Sequence, residues 1–265
     1  MKVSSKLALA AGIGAALTFG TVTADAAVKR GGTLTFVVGS KIPSMDAHRE
    51  STFGMIHPIR PFYSLLIRVN PNNPKVTDDF LCDLCTTWTA SADKMKYTFN
   101  IRKDVSFHNG QKLTAHDIVA TYNKIIFPPK GVGSSRKAHY QMVKKVSADG
   151  DYKVVFDMNF ASGGYLPAMA SPFNFIYSKD DLDKHGLQWH RKNVNGTGAF
   201  SFVEYQPGSH VTGKRFDGYH HEGKPYLDGY KAISAPKMAV RLQAIRGDRA
   251  AIEFRGFPPK ARDDL

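Results

Sequence analysis

A chain of 265 residues, 42% of them hydrophobic, has an ordinary globular composition and is long enough to bury a sizeable core as one large or two small domains. Its formal net charge of +13 would suit an anionic partner, but the basic residues are scattered in short pairs such as Lys29-Arg30, Lys144-Lys145 and Arg191-Lys192. No concentrated basic patch marks a nucleic-acid surface, and solvated faces account for the pairs.

Near the start, Lys2 and Lys6 precede an uncharged run over residues 7–23 that ends in Ala24-Asp25-Ala26, the pattern of a cleavable secretory signal over residues 1–26. No cysteine follows that run directly, which argues against a lipid anchor, and no other stretch approaches the roughly 18 apolar residues of a membrane span. An exported chain rarely meets nucleic acid. Residues 31–39 then read as a short, largely buried strand, and residues 40–48 as a loop. Met55, Ile59, Phe62, Leu65 and Leu66 predict a helix over residues 53–68 despite Pro58 and Pro61, ended by Asn70-Pro71-Asn72-Asn73-Pro74. Cys82 and Cys85 flank Asp83-Leu84 in a C-x-x-C; in an exported chain they are either a structural pair, bridged or not, or a thiol-disulfide centre. No helix start is evident there to lower a thiol pKa, which favours the structural pair.

Residues 88–123 carry the densest signals. Tyr97, Phe99 and Ile101 alternate with Lys96, Thr98, Asn100 and Arg102 as a half-buried strand would, after a polar turn at residues 91–94. His108-Asn109-Gly110 is a turn. Thr114 with Asp117 three residues on resembles a capping box, Ile118, Val119, Tyr122, Ile125 and Ile126 recur at helical spacing, and Pro128-Pro129 stops the helix. Asp149-Gly150-Asp151 joins two strand-like segments, residues 143–148 and 152–158, as a hairpin. A short helix over residues 163–170 and a polar helix over residues 180–185 follow. Gly196-Thr197-Gly198 precedes a second hairpin, residues 201–205 and 210–215, around Gln206-Pro207-Gly208. With no phosphate-loop Lys-Ser/Thr and no full G-x-G-x-x-G, backbone permissiveness explains these glycines better than a nucleotide. His220, His221 and Glu222 invite a metal reading, but adjacent side chains diverge on an extended backbone, so no metal is expected there. Val240, Leu242 and Ile245 are apolar positions within residues 237–246.

Several of these residues stand in fixed order and spacing: Ser91, Asp93, Tyr97-Thr98-Phe99, Ile101-Arg102, Val105, Phe107-His108, Gly110, Thr114-Ala115 and Asp117-Ile118. They resemble the signature of the family 5 solute-binding proteins, the periplasmic dipeptide and oligopeptide type that serve ABC importers. Gly196-Thr197-Gly198-Ala199-Phe200 and Gly223-Lys224-Pro225-Tyr226-Leu227-Asp228-Gly229 resemble two further segments of that family. The resemblance runs over residues 30–248.

It implies an α/β fold, the mixed-sheet first lobe of a periplasmic-binding-protein-like clamshell. Residues 27–248 would form that lobe and residues 249–265 a truncated crossover to a second lobe missing from this chain, since family members are typically about twice as long. It implies a periplasmic, non-enzymatic receptor that captures a peptide-like solute and delivers it to an inner-membrane permease, with no cofactor and no nucleic-acid partner. The loop at residues 40–48 would lie along the cleft, offering Ser44, Met45 and His48 to the ligand, with Tyr165 and Phe173 as wall residues. No G-x-S-x-G, H-E-x-x-H or P-loop suggests catalysis. The alternatives are a fragment that is inert or needs a partner chain, and a thiol oxidoreductase using Cys82 and Cys85.

Overall fold

The computed structural model describes residues 28–262, so the expected signal over residues 1–26 lies outside the described residues. In chain order the elements are β1 (Thr33–Val38), α1 (Phe53–Ile59), β2 (Ile67–Val69), β3 (Phe80–Cys82), β4 (Cys85–Ala90), β5 (Lys96–Ile101) and α2 (Ala115–Ile126). Then come β6 (Val143–Ala148), β7 (Lys153–Met158), α3 (Tyr165–Met169), α4 (Lys179–His185), β8 (Phe200–Gln206), β9 (His210–Arg215), β10 (Gly229–Ser234), α5 (Met238–Arg246), β11 (Ile252–Glu253) and α6 (Pro259–Arg262). Among the described residues no helix is long and apolar enough to cross a membrane.

Two larger sheets organise the chain. One is mixed, in the order β11-β1-β10-β9-β8, with β1 parallel to both β10 and β11 and the other pairs antiparallel. The second is antiparallel, in the order β4-β5-β7-β6, and β2 and β3 form a separate two-stranded ribbon. This is the mixed α/β architecture expected.

Local chemistry accounts for most element boundaries. The Asp117 carboxylate accepts from the Thr114 N–H at 2.8 Å, satisfying a donor at the start of α2, and its other oxygen accepts from the Lys179 N–H at 2.7 Å, joining α2 to α4. Gly150 adopts φ +71° between β6 and β7, as a tight hairpin requires. The helix expected over residues 53–68 is only partly present. α1 stops at Ile59, a 3-10 turn covers Arg60–Phe62, and Tyr63 is extended. Pro61 has no N–H to continue the ladder, so Leu65 and Leu66 are buried in extended chain rather than on a helix face.

Helix α2 lies between two cores. Its Ile118, Tyr122, Ile125 and Ile126 pack with Phe99, Val154 and Phe156 of the antiparallel sheet. Burying each such side chain contributes roughly 1.5–3 kcal/mol. A second core gathers Phe36, Val38, Met55, Phe62, Tyr63, Phe175, Tyr177 and Tyr230 against the mixed sheet. Thr121 on α2 reaches this side, accepting from the Tyr177 N–H at 2.9 Å.

Candidate functional site

The loop after β1 is anchored by a buried polar network, not left open. Lys124 of α2 places its ammonium 3.0 and 2.9 Å from the two Asp46 oxygens and 3.2 Å from His48 Nδ1, with the Lys124 side chain fully buried and that of Asp46 4% exposed. The Tyr177 hydroxyl donates to Asp46 at 3.1 Å, and His48 Nε2 donates to the Phe175 carbonyl at 2.8 Å. His190 stacks on Tyr177 with ring centroids 3.7 Å apart, and its Nδ1 shares a hydrogen bond with the Tyr63 hydroxyl. Burial, reinforced by the Lys124 charge, holds the His48 imidazole well below its ordinary pKa. Burial likewise pulls His190 down to about 3.

These contacts fix where the sequence-predicted ligand residues stand. Met45 and His48 are buried, and Ser44, also buried, donates its hydroxyl to Glu50 at 2.7 Å. Tyr165 packs on Tyr97 and Phe156 in the core against the antiparallel sheet. Phe173 belongs to the other core and is capped by the Arg136 guanidinium 4.0 Å from its ring centroid. Ser44, Met45 and His48 are thus brought together, Phe173 shares the mixed-sheet core with Met45, and Tyr165 lies in the other core. A ligand contact must present surface, and all five expected residues are buried: Tyr165 and Phe173 serve as core side chains, and Ser44, Met45 and His48 hold the loop in place.

Surface is presented nearby, at the carboxyl ends of the three parallel strands. Val38 of β1 lies beside Ser234 of β10, and Val37 beside Glu253 of β11. Ends of this kind are where open α/β sheets take ligands. Arg241 of α5 braces them, donating to Glu253 at 2.7 Å and to the Ala235 and Pro236 carbonyls at 3.0 and 2.9 Å. Just past β11, Phe254 stacks on His57 at 4.3 Å, and His57 stacks on Phe53 at 5.6 Å. Phe254 also meets Phe36 edge-on at 5.1 Å, and with Phe53 and Phe254 59% and 42% exposed the ladder presents aromatic surface to solvent. The sequence reading missed it because Phe53 and Phe254 are 201 positions apart and meet only through the parallel pairing of β1 and β11.

Cys82 and Cys85 are joined by a disulfide with Cα atoms 5.0 Å apart, in the turn from β3 into β4. Strands β3 and β4 flank it in the chain, and Cys85 is buried. The turn between them, at Asp83, meets His220 and His221. The bend at residues 216–224 brings the two histidine rings to 4.5 Å of each other, so the divergence expected of neighbouring side chains does not hold there.

Comparison with known proteins agrees with this architecture. Residues 80–260 match the family model described as bacterial extracellular solute-binding proteins, family 5 Middle. The chain is 35% identical over 158 residues to the oligopeptide-binding protein AppA of Bacillus subtilis, covering 57% of this chain and 28% of that protein. It is 26% identical over 241 residues to the di/tripeptide-binding protein 4 of Pseudomonas aeruginosa, covering 83% of this chain and 42% of that one. Its fold resembles the periplasmic binding protein DppA from Helicobacter pylori in complex with peptide STSA, with a TM-score of 0.79 at 22% identity over 89% of this chain and 49% of that one. AppA in complex with a nonapeptide gives a TM-score of 0.78 at 23% identity, over 89% and 46% of the two chains. The chain therefore spans less than half the length of these relatives.

Proposed function

Because this chain belongs to the family 5 bacterial extracellular solute-binding proteins, we propose that it forms one wall of a periplasmic receptor that captures a peptide-like solute and passes it to an ABC permease. The observation that carries the reading is the carboxyl end of the β11-β1-β10 parallel set, where the ladder of Phe53, His57 and Phe254 offers an apolar, stackable surface beside the strand ends. The relatives named above as peptide binders supply the solute class. The work is reversible binding, as the relatives named as binding proteins suggest, and the disulfide joins β3 to β4 as a structural staple.

One wall excludes water poorly, and polar contacts strengthen only where water is excluded. The 265-residue chain by itself is therefore expected to bind di- to oligopeptides with dissociation constants well above a micromolar. Calorimetric titration with a peptide series tests this. Phe254→Ala should weaken binding of peptides with aromatic side chains by about 2- to 12-fold, the equivalent of the ~0.5–1.5 kcal/mol carried by a stacked pair. Submicromolar binding would contradict the single-wall reading, and binding indifferent to Phe254→Ala would move the site away from the strand ends.

A further inference from the structure

We propose that Asp83, His220 and His221 form a binding site for a zinc-class divalent metal ion, tying the disulfide turn between β3 and β4 to the loop that precedes β10. One donor atom from each residue lies within 4.8 Å of the others. Asp83 Oδ1 is 2.9 Å from His221 Nε2 and 3.6 Å from His220 Nε2. Donor atoms on the edge of a tetrahedron with metal bonds of about 2.0–2.1 Å stand roughly 3.3 Å apart. The two observed spacings fall on either side of that value.

The distinguishing atom is His220 Nε2. The His220 side chain is 1% exposed, its Nε2 is aimed at Asp83, and at 3.6 Å it is too distant for a hydrogen bond. It is left buried with no hydrogen-bond partner, a costly state for a ring nitrogen unless something else occupies its lone pair. Asp83 is already oriented to share one oxygen. Its Oδ2 accepts from the Leu65 N–H at 2.9 Å and faces the Arg60 guanidinium at 3.9 Å, leaving Oδ1 to the histidines. Such second contacts on a ligating carboxylate fix its direction.

The loop is held as well as the carboxylate. The Tyr219 N–H donates to the Phe216 carbonyl and the Lys224 N–H to the His221 carbonyl, each at 3.1 Å, and Gly223 takes φ +70°. Arg102 donates to the His220 carbonyl at 2.9 Å. The His221 side chain is 23% exposed, so the cluster reaches solvent on that side. Two imidazoles and one carboxylate suit zinc, cobalt or copper; calcium and magnesium prefer all-oxygen sets. Arg60 and Arg102 place positive charge close by and hold the affinity to a moderate range.

The test uses the full chain, expressed without a histidine tag, stripped with chelator and titrated with Zn²⁺ by calorimetry and with Co²⁺ by visible absorption. One equivalent of Zn²⁺ is expected, with ligand-field bands from Co²⁺ and a raised thermal midpoint for the loaded protein. Changes beyond the ligands cost roughly 10- to 100-fold in metal affinity, so His220→Gln and His221→Gln are each expected to cost no less, while Glu222→Gln leaves binding unchanged. Should His220→Gln fail to fold, the more exposed His221→Gln decides. Stoichiometry unmoved by the histidine substitutions, or no binding with Zn²⁺ in the millimolar range, would overturn the site. Neither result bears on peptide binding at the strand ends.

Discussion

At the scale of single residues, Gly196 and Gly198 show how a motif can be found for one reason and needed for another. Neither has a positive φ. A Cβ on Gly196 would lie 2.1 Å from the Phe62 carbonyl oxygen, and one on Gly198 would lie 2.4 Å from the Phe62 carbonyl carbon and the Pro61 carbonyl oxygen. Close backbone approach, not conformational freedom, is what glycine supplies here, and the Gly198 N–H donates to the Phe62 carbonyl at 2.9 Å. Gly198→Ala should therefore destabilise the protein by about 1–3 kcal/mol or more, since backbone cannot step aside as a side chain can. Gly163→Ala, with open space around the added methyl and an ordinary φ, serves as the neutral control. Urea denaturation of both variants measures the difference.

At the scale of elements, the post-β1 loop and α2 are joined through the Asp46–Lys124 pair, 78 positions apart in sequence. Both charges are out of water, so their attraction must offset a large desolvation cost, and removing one partner leaves the other buried and unpaired. Lys124→Met is expected to cost about 3–5 kcal/mol, with Asp46→Asn in the same background recovering part of it, because the isolated carboxylate is then gone. A double-mutant cycle by thermal denaturation reads the coupling. Nothing in the sequence announces this pair: Lys124 sits among apolar residues of a helix that reads as amphipathic, and a lysine there passes for a solvated one. What was legible is local. The Thr114–Asp117 helix start, the Gly150 turn and the Tyr97-Phe99-Ile101 alternation each depend on residues within a few positions of one another, and all appear where expected. What was not legible depends on distant chain. The convergence of His220 and His221 on Asp83 turned on a loop crossing to the β2–β3 ribbon, whereas the end of α1 was set locally by Pro61.

At the scale of the whole molecule, the polar network around Tyr177 ties the post-β1 loop to α2 between the two cores, and that network sets an acid limit on stability. His190 and His48 are kept neutral inside it, facing Asp46, Lys124, Tyr63 and Tyr177. In the unfolded chain each would titrate near 6.5, whereas in the folded chain His190 takes a proton only at about 3 and His48 is also strongly depressed. Between those limits the unfolded state binds more protons, so stability rises with pH through this window and is lost as pH falls from about 6.5. Each such histidine contributes a slope of up to ~1.4 kcal/mol per pH unit once the pH is well below its unfolded value. Equilibrium unfolding at a series of pH values from neutral to about 4 should show this loss, and His190→Gln should flatten it by removing one proton from the balance. A stability that stays level across the window in the parent protein would mean that the two imidazoles are already charged in the fold. The same loop would then be held by a different distribution of charge, with Lys124 and a protonated His48 competing for Asp46.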